Sequence, residues 1–399
     1  FIVYGMLLLL LIYVVFKFTA QRGLDTSLDE SKSKYKIAHW LQEIARSIVS
    51  FKLSGKTSHA LDKNDTLVVN YLNARESHFR VLVLQFIQMI GFKVLVTAGL
   101  LLIGGLLVLN QEMNIGQFVA AEIIILLVIG SVEKLILGLE TFYDLLTSLE
   151  KMGQVVDKEL EAQEGEKPFM ENQAFTVELS EISYSVPQPK RQIIKDLSLT
   201  ISPSCTILLR GNSGSGKNTL LRLIAGIIEP DSGGVYVNGV SLKGMNLNYY
   251  RSHLGQSLPE ESPFEGTILN NITFGDKETT NEQVYWALDK VGLTDFVKKQ
   301  PEGLNTVLYP EGKQIPYTVS KKIVLARSIV RKPKLLILKD PLDQFNVDEA
   351  DRILSFLSDP ANGWALLVVS ENDKWIKKCS RIITMEKGQI INEIQGKDA

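Results

Sequence analysis

The stretch that most constrains the fold is a glycine-rich loop, Gly211-Asn212-Ser213-Gly214-Ser215-Gly216-Lys217-Asn218-Thr219. It follows an apolar, strand-like run and leads into a helix-like run, which is the context of a phosphate-binding loop. Glycines let successive backbone N–H groups converge on phosphate oxygens, and the helix N-terminus and Lys217 add positive charge. The loop departs from the usual pattern at Asn218, where a hydroxyl normally ligates Mg²⁺. The sequence therefore predicts an α/β nucleotide-binding fold in which one metal ligand is altered.

Three long apolar runs lie in the first 140 residues, at about 1–18, 81–109 and 117–139. The last two exceed the ~20 residues that a helix needs to cross a bilayer. The first has no initiating Met, no charged leading region and no small-residue cleavage site, which favours the end of a membrane helix in a longer chain over a signal peptide. Buried helices of a soluble protein are the weaker interpretation, because three such runs cannot all be buried within 399 residues.

Basic residues indicate the orientation of these runs. Basic residues lie at the end of the first run, at Lys17, and between it and the second run, at Arg22, Lys52, Lys56, Arg75 and Arg80, whereas the loop 110–116 has no base. This asymmetry places the segment 19–80 in the cytoplasm. The net charge of −2 shows no basic balance that would favour nucleic acid, and a disulfide between the two cysteines is not expected there.

The segment 19–80 is rich in helix formers and predicts two long helical extensions with a break near Ser54-Gly55. A short helix starting at Ser58, as its cap, and ending near Asn64 is expected to close the tip. The charged segment 157–167 predicts a linker between a transmembrane domain at 1–156 and a second domain at 168–399.

The second domain alternates strand-like and helix-like runs. Apolar runs at 206–209, 335–338 and 366–369 are typical of buried parallel strands, and Asn238-Gly239 predicts a hairpin. A helical run at 283–291 lies between them. This pattern predicts an α/β domain with a helical insertion.

With these features the chain resembles the ATP-binding-cassette (ABC) transporters, specifically half-transporters of the type I exporter kind, and the resemblance covers the whole chain. Besides the glycine-rich loop it includes the runs 193–199, 229–234, 266–272, 325–327, 333–334 and 381–383, and 114–120 in the membrane part. It implies a multidomain membrane protein with all-α transmembrane helices, the last three of six, and an α/β nucleotide-binding domain with a helical subdomain.

The resemblance also implies ligands and partners. ATP would bind between the glycine-rich loop of one subunit and the signature helix of another, so a second half-transporter, identical or different, is expected. A coupling helix at 58–64 would dock on a nucleotide-binding domain. The protein would be integral to an inner or plasma membrane with its nucleotide-binding domain in the cytoplasm, and further envelope-complex subunits are conceivable partners. The apolar runs show no distinctive polar stripe that would indicate a substrate.

The chain differs from the family at most catalytic positions. It has Lys339 and Asp340 in place of Asp and Glu, Ile315-Pro316-Tyr317-Thr318-Val319 in place of LSGGQ, Glu371 in place of the switch His, and Pro259 in place of a loop Gln. A lysine at the metal-holding position would repel Mg²⁺, and Asp340 is a methylene too short to position the attacking water. The adenine-stacking position holds Val186, and Tyr184 is the candidate aromatic two residues earlier.

The signature and switch positions have the same consequence. In the family, two glycines let the helix N-terminus approach a phosphate, and Tyr317 and Thr318 put side chains into that space. Pro316 also removes one backbone N–H donor. The helix should still form, because proline is favourable in a first helical turn. Glu371 would repel phosphate. Each ATP site combines the phosphate loop of one subunit with the signature helix of the other. Because this chain is altered in both elements, even an intact partner would leave each of the two sites with one altered half.

Two functions follow from these positions. The favoured one is a transporter subunit with weak or absent ATP hydrolysis, acting as a scaffold or regulatory half-transporter; the alternative is an active ATP-driven exporter of peptide, protein or lipid. Mg²⁺ is expected to bind weakly at most, through Asn218 and against Lys339. The Lys339 ammonium either takes the place of the metal or pairs with Asp340 or Asp343, and the sequence leaves both open.

Overall fold

The computed structural model describes residues 2–55, 57–161, 164–168, 173–187 and 189–396. The chain divides into two compact units, 1–160 and 161–399, and the division falls within the segment interpreted as a linker. Residues 162 and 163 of that segment lie outside the described residues. So do the side chains of 2–12, 14–16, 18 and 19, which make up most of the first apolar run.

The first unit is helical. Its helices are α1 (Ile2–Arg46), α2 (Ile48–Leu53), α3 (His59–Leu109) and α4 (Ile115–Val156). Among the described residues, α3 and α4 are long and apolar enough to cross a membrane. Asn114 caps α4 through a reciprocal hydrogen-bond pair with Gln117, which fixes where the last apolar helix begins.

The tip between α1 and α3 corrects one prediction. The short helix is α2, before the break, and residues 58–64 form the start of the 51-residue helix α3 instead of a helix of their own. Ser58 stands at the N-cap position, but its hydroxyl donates to the Asp62 carboxylate at 2.6 Å instead of accepting a backbone N–H. Trp40 explains the placement, because its ring packs edge-on against both Phe51 and His59 and so joins α2 to the start of α3.

Polar side chains link the three long helices of this unit. Thr26 Oγ1 lies 2.9 Å from His78 Nδ1, Ser27 Oγ lies 3.1 Å from Thr147 Oγ1, and Gln85 Nε2 donates to the Tyr143 hydroxyl at 2.9 Å. All except Thr26 are buried. The paired residues are 52 to 120 positions apart in the sequence, so they form no polar stripe along any single apolar run.

The second unit is α/β. Its strands are β1 (Val177–Pro187), β2 (Lys190–Ile201), β3 (Thr206–Arg210), β4 (Ser232–Val237), β5 (Val240–Ser241), β6 (Leu254–Ser257), β7 (Gly266–Thr267), β8 (Val307–Leu308), β9 (Leu335–Lys339), β10 (Ala365–Val369), β11 (Arg381–Glu386) and β12 (Gln389–Gln395). Its helices are α5 (Lys217–Ile224), α6 (Leu247–Ser252), α7 (Ile268–Thr273), α8 (Asn281–Val291), α9 (Thr294–Lys298), α10 (Tyr317–Ile329) and α11 (Val347–Leu357). In the described part the sheets run β12-β11-β3-β10-β9-β6, β2-β1-β4-β5 and β7-β8.

The large sheet is parallel at its centre and buried on both faces. Strands β3, β9 and β10 send alternate side chains into two apolar clusters, one with α5 and the antiparallel sheet and one with α7, α8, α10 and α11. Continuous apolar runs at the predicted strands follow from this double burial, so these predictions are confirmed. The hairpin at Asn238-Gly239 is confirmed as well, with φ of 50° and 80° at its two residues.

Arg251, on α6, holds the start of the second unit against the end of α5. Its guanidinium forms a bidentate pair with Glu161 at 2.6 and 2.7 Å, and it also donates to the carbonyls of Ala225 and Gly226. The hydrogen bonds from Arg251 keep the pKa of the Glu161 carboxyl below its usual range. One side chain therefore joins the predicted linker to the helix that follows the glycine-rich loop.

This contact gives a first expectation. Replacing Arg251 with Met should lower the local stability at the end of α5 by about 1–3 kcal/mol, because the carbonyls after α5 lose a charged donor. The matched variant Glu161→Gln loses only a solvent-exposed ion pair and should cost less than about 1 kcal/mol. Hydrogen exchange of the amides near Ala225 in the full-length protein measures both effects, and equal loss of protection in the two variants would contradict the assignment.

Candidate nucleotide site

The glycine-rich loop joins β3 to α5 in a conformation that needs glycine. Gly211, Gly214 and Gly216 have φ of 140°, 80° and 101°, and a Cβ on Gly211 would overlap the carbonyl of Met385. Leu220 N–H donates to the carbonyl of Gly216 at 2.9 Å, so the helix begins directly at the loop. The first N–H groups of α5 are thus directed into the loop, as anion binding requires.

Lys217, the first residue of α5, lies over the loop. Its ammonium donates to the carbonyls of Gly211 and Asn212 and to the Ser215 hydroxyl, the last two at 3.0 and 3.4 Å. The pKa of Lys217 is lowered overall, chiefly by burial. Glu371 and Asp340 act to raise it, and Lys339 acts to lower it further. The structure therefore brings three of the sequence-predicted positions within electrostatic reach of the loop lysine.

Lys339 and Asp340 stand where β9 ends. Lys339 pairs in register with Val369 of β10, and Val369 pairs with Leu209 of β3, so Lys339 is level with the end of the strand that enters the loop. Asp340 follows with φ of 42°, and its N–H donates to the Val369 carbonyl at 2.8 Å. Burial raises the pKa of Asp340, whereas Lys339 and a hydrogen bond with Ser370 lower it.

Glu371 has a partner that the sequence did not indicate. Its carboxylate lies 3.8 Å from Arg210 Nε, and Asp373 lies 3.1 Å from Arg210 Nη2. Arg210 is the last residue before Gly211, so its guanidinium balances the acids that follow β10. The repulsion of phosphate expected from Glu371 is reduced by this pair.

The signature position forms a helix without glycine. Pro316 is the N-cap of α10, and Ser320 N–H donates to its carbonyl at 3.0 Å. Ile315 and Val319 pack on the helical core, while Tyr317 is exposed, with Lys321 Nζ 5.7 Å from its ring centroid. The helix forms as expected, and an aromatic side chain occupies its first turn.

Two further predicted positions lie near the apolar cluster that includes α5 and the antiparallel sheet. Tyr184, on β1, is half-buried and packs on the core beneath the antiparallel sheet, so its proposed contact with adenine stays a prediction. Next to Pro259, Glu260 lies 3.4 Å from Arg222 of α5 and joins that loop to the phosphate-loop helix. This pair was missed because its members are far apart in the sequence.

The side chains at the loop do not fit a magnesium ion. Mg²⁺ needs oxygen ligands in near-octahedral geometry. Asn218 is exposed on α5, Lys339 offers no acceptor, and Asp340 is engaged by Ser370. Within the described ranges, no group of three or more His, Cys, Asp or Glu side chains could hold a metal.

Comparison with known proteins agrees with this geometry. The family model for the ABC transporter matches residues 194–343, which contain the glycine-rich loop, the signature position and Lys339. Residues 194–343 therefore form an ABC transporter domain. A domain of this family implies ATP as its ligand.

Relatives and a solved structure extend the match to the helical unit. The chain is 30% identical over 236 residues to the ABC multidrug transporter MDR2 of Trichophyton equinum, covering 58% of this chain and 18% of that protein. It is 26% identical over 359 residues to the leukotoxin translocation ATP-binding protein LktB of Mannheimia haemolytica, covering 89% of this chain and 50% of that protein. The chain therefore matches half or less of the length of these relatives.

The structure of a bacterial Atm1-family ABC exporter with ATP bound has the same fold. It superposes with a TM-score of 0.87 at 17% identity and covers 100% of this chain and 69% of that chain. The predicted fold class, exporter helices followed by an α/β nucleotide-binding domain, is confirmed.

Proposed function

We propose that the chain is one half of an ABC exporter whose nucleotide-binding domain binds ATP in the cytoplasm and hydrolyses it slowly or not at all. It would act in the membrane beside a second half-transporter, identical or different. Its role would be that of a scaffold or a regulatory subunit. The tip formed by α2 and the start of α3 would dock on a nucleotide-binding domain. Further envelope-complex subunits are compatible partners.

The observation that carries this proposal is Lys339. The parallel register places it level with the end of β3, where the family holds Mg²⁺ with a carboxylate. Asp340 and the glycine-free start of α10 add to the same effect, because a water activator and a phosphate-binding turn are both altered. Binding groups on the loop itself, Lys217 and the glycines, support retained ATP binding.

An active exporter is the second candidate. The glycines and the lysine of the loop, and the name of one relative, the translocation protein LktB, favour it. Its substrate would be a peptide, a protein or a lipid.

Phosphate release by the full-length protein, reconstituted in lipid nanodiscs with its natural partner, separates the two. We expect turnover at least ~100-fold below the ~10 s⁻¹ that is typical of enzymes. Photo-crosslinking of an azido-ATP should label the wild type and fail in Lys217→Ala, while the matched surface variant Lys243→Ala is labelled normally. Rapid turnover that disappears in Lys217→Ala would establish the active exporter instead.

A further inference from the structure

The carboxyl ends of β3, β10 and β9 bring basic side chains together. Lys339, Val369 and Leu209 share one row of the parallel sheet, and the loops that follow begin at the next residues. Ligands of open α/β sheets bind at this edge, above the strand ends. Lys217 and Lys339 both lie at this edge, close enough for Lys339 to lower the pKa of Lys217.

The charges at this edge are not all equally engaged. Arg210 is held by Glu371 and Asp373. The half-buried Lys339, in contrast, has no carboxylate within 4.0 Å among the residues the structure describes, although it is near enough to Asp340 to lower the pKa of that carboxyl. A half-buried ammonium without a paired acid is costly unless an anion completes it. Lys339 is therefore not held in a direct ion pair, as Arg210 is, and its ammonium can contact a further anion.

A divalent cation would meet this ammonium at close range. In P-loop ATPases a carboxylate at the end of the corresponding strand holds Mg²⁺, so a metal bound here would have to be held beside Lys339. Two cations at that place repel each other, and Lys339 supplies positive charge there without a metal. Asn218 does not compensate, because Mg²⁺ gives up its bound water reluctantly and a single exposed carboxamide is a weak ligand for it.

We propose that this site binds a metal-free nucleoside triphosphate, with the Lys339 ammonium in the place of Mg²⁺ and Lys217 beside it on the phosphates. The proposal rests on the proposed binding of ATP and concerns how that ATP is held. Without the metal, the triphosphate keeps negative charge that two lysines can pair with directly. Nucleotide would then stabilise the domain without preparing a hydrolytic metal centre.

Binding of fluorescent trinitrophenyl-ATP to the full-length protein in nanodiscs tests this, with excess EDTA in one series and MgCl₂ in the other. For the wild type we expect dissociation constants that differ by less than about threefold between the series. Lys339→Asp should bind at least about tenfold more tightly with Mg²⁺ than with EDTA, because a carboxylate replaces the ammonium. The matched control Lys298→Asp, an exposed position on α9, should behave as the wild type.

A second variant and a second signal protect the test against misfolding. Lys339→Met, which removes the ammonium without introducing a carboxylate, should weaken nucleotide binding in EDTA by at least about tenfold. Electron paramagnetic resonance of Mn²⁺ should show ATP-dependent capture of the ion by Lys339→Asp and none by the wild type. Wild-type binding that requires Mg²⁺ would overturn the metal-free site and leave ATP binding intact. Absence of binding in both series, with Lys217→Ala unchanged from the wild type, would overturn ATP binding itself.

Discussion

Replacing Arg327 with Met should destabilise the helical subdomain, α7 to α10, by about 3–5 kcal/mol. The Arg327 side chain is buried on α10 and lies 3.7 Å from the Glu261 carboxylate. It also donates to the backbone and side-chain oxygens of Asn271 at 2.7 and 3.1 Å. Its guanidinium stands over the rings of Phe264 and Phe274, 5.6 and 4.8 Å from their centroids. Met fills the space but leaves Glu261 without its charged partner.

This loss should depend on pH. Burial raises the pKa of Glu261, while a hydrogen bond from the Leu258 N–H and the charge of Arg327 lower it. Since the folded pKa lies above the unfolded one, the contribution of this carboxyl is present at acid pH and is lost as pH rises through the folded pKa. Without Arg327 the folded pKa rises further, so Arg327→Met should be more destabilised at neutral pH than at pH near 5.

Hydrogen exchange of α7 and α10 in the full-length protein measures the loss locally. Arg331→Met is the matched control, because Arg331 pairs with Asp276 at 2.9 Å near the surface and should cost less than about 1 kcal/mol. Adding Glu261→Gln to Arg327→Met should recover part of the stability by removing the unpaired charge. Equal effects at positions 327 and 331 would show that the buried pair has no special weight.

The fold was predictable where local pattern and burial coincide. Strands β3, β9 and β10 are buried on both faces, so their apolar runs were visible without any long-range information. The glycine-rich loop was visible because its left-handed φ values restrict those positions to glycine. The start of α10 was predictable as well, since Pro316 suits a helix N-terminus.

Contacts between distant segments were not predictable in this way. Arg210 and Glu371 are 161 residues apart, and nothing in either neighbourhood indicates the pair that offsets the acid at the switch position. The tip helix was placed on the wrong side of the break, because Trp40 decides its position from a different helix. Propensity marked the break at Gly55 correctly but could not tell which side would pack.

Repairing the ATP site should restore hydrolysis only when both of its halves are repaired, if the chain pairs with itself. The phosphate-loop half would receive Asn218→Ser, Lys339→Asp, Asp340→Glu and Glu371→His. The signature half would receive Leu, Ser, Gly, Gly and Gln at residues 315–319. The first set returns a metal ligand and a water activator, and the second returns a turn whose N–H groups face the phosphate.

In a homodimer every composite site has one phosphate-loop half and one signature half. We therefore expect the rate of hydrolysis to rise less than about threefold with either set alone and at least about 100-fold with both together. General-base catalysis alone can supply a gain of that size. In a heterodimer with an intact partner, the phosphate-loop set alone would complete one composite site and give most of the gain. Phosphate release by the reconstituted complex distinguishes these cases. A wild-type rate that none of the sets changes would mean that the altered positions do not limit hydrolysis, and that Lys339 is tolerated within a working site.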